Sequence, residues 1–163
     1  MKKDAIDYIG FIFIGLMKLG NEPYVIEYNC RLGDPETEVI VPRIKNDVLE
    51  LFQAACTKKL EEVRLNVDQR YATTIVAVSG GYPNSYEKGY QIRGLEKSEK
   101  DTILFHSGTK EADGKIVTNG GRVLCATGLD AQLSEAINKS KALIEAISYE
   151  GKYFRRDIGY EFV

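Results

Sequence analysis

The sequence has one histidine and only three cysteines among 163 residues. A lone histidine gives little basis for a metal centre. His106, at a strand end before Ser-Gly-Thr, reads as a packed or turn residue. Cys30, Cys56 and Cys125 are odd in number, widely spaced and match no zinc pattern. A disulfide framework would use more of them, so buried reduced thiols in apolar surroundings and a reducing, cytoplasmic compartment are expected. Long apolar runs are also missing: the longest, Tyr8 to Met17, is broken by Gly10 and Gly15 and falls short of the ~20 residues a membrane span needs. An excess of one charge is absent as well. Twenty-two Lys and Arg against 24 Asp and Glu leave a net charge of −2, which offers no global field to recruit nucleic acid or anionic lipid. The Lys58-Lys59 and Arg155-Arg156 pairs have acidic neighbours and read as solvated surface. The ten tyrosines are not interleaved with basic residues as a base-stacking platform would need.

What is present is ordinary in bulk: 44% hydrophobic and 28% charged residues exclude disorder, collagen-like repeats and coiled coil. The length allows one domain, or a small domain with part of another. Met1-Lys-Lys resembles a signal n-region for three residues only, since Asp4 and Asp7 interrupt it and no small-residue cleavage site follows. Apolar runs at Ile9–Met17 and Tyr24–Cys30, separated by Leu19-Gly-Asn-Glu-Pro23, predict an antiparallel hairpin. A chain that opens straight into a hairpin, with nothing ahead to cover either face, reads as cut from something larger.

A helix is expected from about Asp47 to Cys56, with a capping box of Asp47 and Glu50 and an apolar face of Val48, Leu51, Phe52 and Ala55. Thr57–Arg70 is the most polar stretch and the best candidate for a domain boundary. Tyr71–Val78 then suits a central strand. Ile103–His106, Lys115–Thr118 and Arg122–Thr127 read as further strands, and Ala131–Ile147 as a helix presenting Leu133, Ile137, Ser140, Ile144 and Ile147. Asp130 can cap its start and Gly151 close its end. The fold class is therefore α+β.

The sharpest local pattern is Glu27-x-Asn29-x-Arg31. On a strand these three side chains share one face, with Ile26, Tyr28 and Cys30 on the other. A carboxylate and an amide oxygen are hard ligands suited to Mg²⁺, and an arginine beside them can grip a phosphate in two places. The pattern describes a site for a metal-bound triphosphate tail, against the plainer alternative of a solvent-facing polar strand. The loop Arg31-Leu-Gly-Asp-Pro-Glu36 adds Asp34 and Glu36, on backbone made permissive by Gly33 and rigid by Pro35. Gly80-Gly81 and Gly120-Gly121 are not phosphate loops, because neither leads from a strand into a helix with a following lysine.

The run Val25-Ile-Glu-Tyr-Asn-Cys-Arg-Leu-Gly-Asp-Pro-Glu-Thr-Glu38 resembles the signature of the phosphoribosylamine–glycine ligase (glycinamide ribonucleotide synthetase) family of the ATP-grasp superfamily. The resemblance continues through Tyr8-Ile-Gly-Phe, Pro42–Leu51, Gly81-Tyr-Pro, Tyr86-Glu-Lys-Gly89, Phe105–Thr109, Gly120–Leu124 and Tyr153–Gly159, in the family's order. It covers essentially the whole chain but only the carboxy-terminal portion of the family's enzymes. It implies an ATP-dependent ligase of purine biosynthesis, in which ATP phosphorylates glycine and 5-phosphoribosylamine attacks the acyl phosphate. Glu27 and Asn29 match the family's Mg²⁺ or Mn²⁺ ligands and Arg31 the arginine facing the transferred phosphate. Asp34 and Glu36 fall beside the glycine and amine site, with Asp34 a candidate catalytic residue and Glu36 a substrate-binding one. Lys88 and Arg122 follow turns from which they can reach the substrate's 5′-phosphate; the plainer reading is two exposed turn cations.

The resemblance implies the end of an ATP-grasp core, hairpin plus helix, over 1–58 and a linker over 59–70. A small mixed α/β carboxy-terminal domain would occupy 71–163. The amino-terminal and lid domains are missing from this stretch, so the chain alone is expected to be inactive. The competing hypothesis is a stand-alone binding or interaction module that kept the fold without the chemistry. Retention of Glu27, Asn29, Arg31 and Asp34 together favours the ligase.

Overall fold

The computed structural model describes residues 2–162. It divides into two compact units, Met1–Asp68 and Gln69–Val163.

The first unit begins with the expected hairpin. Strands β1 (Phe13–Leu19) and β2 (Glu22–Asn29) pair antiparallel, with Phe13 opposite Asn29 and Gly15 opposite Glu27. The tight turn uses Gly20 at φ +62°, in the left-handed region that glycine enters without a Cβ penalty. Helix α1 (Thr37–Ile40) follows, and then α2 (Val48–Cys56), whose start is capped by Asp47 Oδ1 accepting from the Leu49 N–H at 2.8 Å. The predicted box is thus half realised, since Glu50 makes no return bond among the described residues. Residues past the helix return to this unit: Lys45 N–H donates to Asn66 O (2.9 Å), Asp68 N–H to Arg43 O (2.7 Å) and Asn66 N–H to Asn46 Oδ1 (2.6 Å). The polar stretch expected as a linker is thus hydrogen-bonded back to the first unit at Asn66 and Asp68.

The buried apolar residues among those described all lie in the second unit. Neither face of the hairpin is covered, with Val25 50% and Ile26 62% exposed. This corrects the expectation for the thiols. Cys125 is buried, but Cys30, just past β2, and Cys56, at the end of α2, are exposed, because nothing in their own unit covers either element.

The second unit contains β3 (Tyr71–Val78), β4 (Thr102–His106), β5 (Thr109–Ala112), β6 (Lys115–Thr118), β7 (Arg122–Asp130) and α3 (Leu133–Ala146). All pairings are antiparallel: the main sheet runs β3-β7-β4, and β5 with β6 forms a hairpin. The fold is α+β, as the sequence predicts. The central strand, however, is β7 rather than β3. Val123 to Leu129 is buried without interruption, whereas Tyr71 at the edge is 52% exposed. The polar strand β5 escapes the apolar pattern. Its signal is the Asp113-Gly114 turn, where both residues take positive φ (51° and 69°) as a two-residue hairpin turn requires.

Helix α3 packs Ala136, Ser140, Leu143 and Ile144 into the core, so its buried face is turned toward Ala136 and Leu143 relative to the predicted stripe. Its ends also differ. Asp130 Oδ1 accepts from Gln132 N–H at 3.0 Å just ahead of the helix, and the N-cap position itself is Gln132. At the other end the Lys152 ammonium donates to Ile144 O (2.8 Å) and Ile147 O, satisfying terminal carbonyls. Burial holds that amine below the usual lysine range.

An ionic chain ties the strand ends to α3. Arg70 Nη1 donates to Asp101 Oδ1 at 2.6 Å, and Lys139 Nζ to Asp130 Oδ2 at 2.7 Å, with Asp101 Oδ2 3.7 Å from the same ammonium. The hydrogen bond from Arg70 holds the Asp101 carboxyl below its ordinary value, and that from Lys139 does the same for Asp130. The Asp130 bond in turn raises Lys139. A depressed carboxyl stabilises the fold above its unfolded pKa and loses that contribution as pH falls. The second unit should therefore weaken as pH drops below about 4. Lys139, being raised, acts in the opposite window: its contribution is complete below the ordinary lysine value and is lost only as pH climbs through the folded one. Lys139→Met should flatten the acid limb of a plot of urea midpoint against pH. A limb as steep as in the parent chain would remove Lys139 from this role.

Candidate functional site

On β2, Asn29 Nδ2 donates to Glu27 Oε1 at 2.9 Å, so the two side chains do lie together on one face. The bond occupies one carboxylate oxygen and one amide donor, leaving Glu27 Oε2 and Asn29 Oδ1 as acceptors. Glu27 has room because its cross-strand partner is Gly15; a methyl group there would sit 3.0 Å from Glu27 Cγ. Arg31 lies beyond the paired part of β2. The ladder ends at the Phe13–Asn29 pair, so strand alternation no longer dictates its direction, and its Nη1 donates to Leu32 O at 3.0 Å.

The loop beyond is held by Thr37, whose Oγ1 (2.6 Å) and N–H (3.1 Å) both donate to Gly33 O. Gly33 is buried, and a methyl group there would strike the Glu36 carboxylate and approach the Phe13 ring to 3.1 Å. Asp34 and Glu36 are thus carried on a loop closed at both ends. Tyr8 braces the approach, its hydroxyl donating to Phe11 O at 2.8 Å and lying 3.4 Å from Cys30 O. Partial burial, with the Cys30 thiol beside it, raises this phenol above its ordinary value. Sequence reasoning gave Gly33 its place in the loop but assigned no role at the site to Thr37 or the Tyr8 hydroxyl, and it read Gly15 only as a break in an apolar run.

Lys88 and Arg122 belong to the second unit. Lys88 is exposed, with Nζ 5.8 Å from the centre of the Tyr86 ring. The Tyr82 and Tyr86 rings stand 6.1 Å apart over Gly121, which has no space for a side chain beneath them. Arg122 opens β7 one residue on. Tyr90 O–H donates to Glu87 Oε2 at 2.5 Å, which raises the phenol's pKa.

Among the described residues no three His, Cys, Asp or Glu side chains converge as a metal cage. The pair Glu27 and Asn29 fits a different ligand type. Mg²⁺ takes few protein oxygens and fills its octahedron with water and phosphate oxygens, and a carboxylate and an amide carbonyl are both hard oxygen donors that suit it. Nor is any described helix long and apolar enough to cross a membrane.

Residues 72–161 match the C domain of phosphoribosylglycinamide synthetase. The chain belongs to that family. Residues 1–37 match the family's ATP-grasp (A) domain. Phosphoribosylamine–glycine ligase of Haemophilus influenzae is 49% identical over 158 residues, a stretch covering 96% of this chain and 37% of that protein. The trifunctional purine biosynthetic protein adenosine-3 of Gallus gallus is 42% identical, covering 100% of this chain and 16% of its own length. The crystal structure of the Thermotoga maritima phosphoribosylamine–glycine ligase superposes with a TM-score of 0.80 at 37% identity, covering 96% of this chain and 38% of that one. The chain thus spans little more than a third of the single-function ligases it matches.

Proposed function

We propose that this chain supplies the carboxy-terminal part of a phosphoribosylamine–glycine ligase. Residues 1–58 would be the end of an ATP-grasp core, 59–70 a linker, and 71–163 the family's small carboxy-terminal domain. The observation that carries the reading is the Asn29–Glu27 hydrogen bond over Gly15, which fixes two hard oxygen acceptors on one face beside the Arg31 loop.

The reaction has two steps. A glycine carboxylate oxygen attacks the γ-phosphorus of ATP and ADP leaves. The amine of 5-phosphoribosylamine then attacks the acyl carbon, the C–O bond to phosphate breaks, and the released phosphate takes up the amine's proton. Bound Mg²⁺ or Mn²⁺ would supply charge neutralisation at the triphosphate, with Glu27 and Asn29 as its protein ligands. Arg31 swings from Leu32 O to grip the transferred phosphoryl group. Asp34 and Glu36 orient glycine and the incoming amine, and Lys88 with Arg122 holds the 5′-phosphate. No general base is required, because the work is orientation and charge stabilisation. By itself the chain would be inactive. We place the reaction in the cytoplasm, on the reading of three widely spaced cysteines as reduced thiols.

The test is a chimera in which residues 1–163 replace the matching part of the Haemophilus influenzae ligase. ADP release that needs both glycine and phosphoribosylamine is the expected result, with none from the isolated chain. A soluble, folded chimera without activity would refute the reading.

A further inference from the structure

The β1–β2 ladder changes register in its middle. Its first pairs are Phe13–Asn29, Ile14–Tyr28 and Gly15–Glu27, and from Leu16 onward they become Leu16–Val25, Met17–Tyr24 and Lys18–Pro23. Ile26 is the extra residue, a one-residue bulge directly before Glu27. Residues paired across the ladder share a face, while Gly15 and Leu16, consecutive on the regular strand, point to opposite faces. Val25 therefore faces away from Glu27, although a spacing of two residues on an unbroken strand would put both on one side. The next side chain on the Glu27 face of β2 is that of Tyr24, opposite Met17.

Glu27 is thus cleared in two directions. Across the ladder stands Gly15, which brings no side chain, and along its own strand the bulge has turned Val25 away. The Gly15 backbone does not lie at positive φ, so conformation gives no reason for glycine there. Space does. A methyl group on Gly15 would stand 3.0 Å from Glu27 Cγ, but 3.7 Å from Glu27 O and 3.8 Å from Glu27 N, which are ordinary contacts. The backbone can accept alanine; only the Glu27 side chain has to swing aside. Swinging aside would take its carboxylate from Asn29 Nδ2, which donates to Glu27 Oε1 at 2.9 Å.

We propose that Gly15 and the bulge at Ile26 are positioning elements for a divalent cation: they clear the strand face around Glu27 so that its carboxylate rests against the Asn29 amide with its second oxygen free for the metal. The inference rests on the reading of Glu27 and Asn29 as the cation's ligands. Neither Gly15 nor Ile26 touches the cation; both act through Glu27.

The probe is Mn²⁺ alone, added to the ¹⁵N-labelled chain, because its unpaired electrons broaden the NMR signals of nearby protons. The Asn29 side-chain amide and the Glu27 N–H should broaden first in the parent chain, and Glu27→Gln should abolish that preference. Gly15→Ala should need roughly tenfold more Mn²⁺ for the same broadening, the scale for a group that supports a metal ligand from behind. Its urea midpoint should hold or rise, since alanine restrains the unfolded chain. Deleting Ile26 keeps the same pairs across the ladder while removing the bulge, and it should weaken Mn²⁺ in the same direction. Parent-like broadening in Gly15→Ala, with the preference lost in Glu27→Gln, would overturn the role of Gly15 and leave the metal pair standing. Parent-like broadening in the deletion alone would remove the bulge from the device. A loss of stability in Gly15→Ala that parallels the loss of Mn²⁺ would make Gly15 merely structural. Broadening that ignores Glu27 and Asn29 in the parent chain would overturn both the device and the metal reading beneath it.

Discussion

Glu27→Gln in the chimeric ligase should lower kcat by roughly 100-fold or more, the scale expected when a preorganised charge-stabilising group is lost from a phosphoryl- or acyl-transfer site. The substitution is chosen because it isolates charge. Glutamine has the size of glutamate and keeps an Oε1 that can accept the Asn29 amide N–H, now at 2.9 Å from the carboxylate. The strand pairing around Gly15 and Glu27 is left alone. Glu27 is exposed, so its replacement should leave stability within about 0.5 kcal/mol. What disappears is one negative charge on a hard oxygen, which weakens attraction for a divalent cation far more than it disturbs the protein. Turnover should recover in part as Mg²⁺ is raised, with a higher apparent metal requirement. Unchanged ADP release at low Mg²⁺ would exclude Glu27 as a ligand. A fall in melting temperature parallel to the fall in rate would mark it as structural.

The same residues show where the sequence is legible and where it is not. Tyr71–Val78 and Lys115–Thr118 have the bounds read from their apolar patterns, because a short β-branched run flanked by turn residues leaves little choice. Strand β7 runs three residues beyond its predicted end at Thr127. Gly128 reads as a breaker in one dimension, but in three it is the place where a helix comes closest. Position within the sheet was similarly hidden: β3 and β7 are both apolar, and only the pairing decides which is central.

The Glu27-x-Asn29 face was visible from period-2 spacing, since both residues lie inside the ladder. Arg31 lies beyond the last pair, where the period stops being a constraint. Gly15 and Gly33 clear space for Glu27 and Glu36, and no single-sequence pattern reports a clearance between strands or across a loop. The exposed cysteines have the same cause. Apolar neighbours in sequence promise burial only if something covers them, and the first unit's own elements do not.

Gly128→Ala should destabilise the second unit by about 3 kcal/mol, at the upper end for overpacking a core. The ordinary effect has the opposite sign, because alanine in a strand restrains the unfolded chain better than glycine and gains up to about 1 kcal/mol. Sterics reverse it. A methyl group on Gly128 would stand 2.5 Å from Ala136 O, 2.8 Å from Ser140 N and 2.8 Å from Lys139 Cβ. Two of these atoms are helix backbone, which cannot rotate aside, so α3 must move off the sheet.

That movement strains a buried hub. Ser140 Oγ accepts from Gly128 N–H at 3.0 Å and lies 2.9 Å from both Thr73 O and Ala136 O and 2.6 Å from Thr73 Oγ1. Ser140 is fully buried, so stretched bonds there find no water in exchange. Ser140→Ala calibrates the hub alone: it removes the hydroxyl that bonds Gly128 N–H and Thr73 without moving the helix and should lose about 1–3 kcal/mol. Since the chain has two units, the proper readout is hydrogen exchange at β7 amides such as Leu124 and Ala126. Gly128→Ala should cut their protection by roughly two orders of magnitude, and Ser140→Ala by less. Protection unchanged or raised in Gly128→Ala would mean that α3 does not press on β7 at this position, and the close approach of helix and central strand would have to be abandoned.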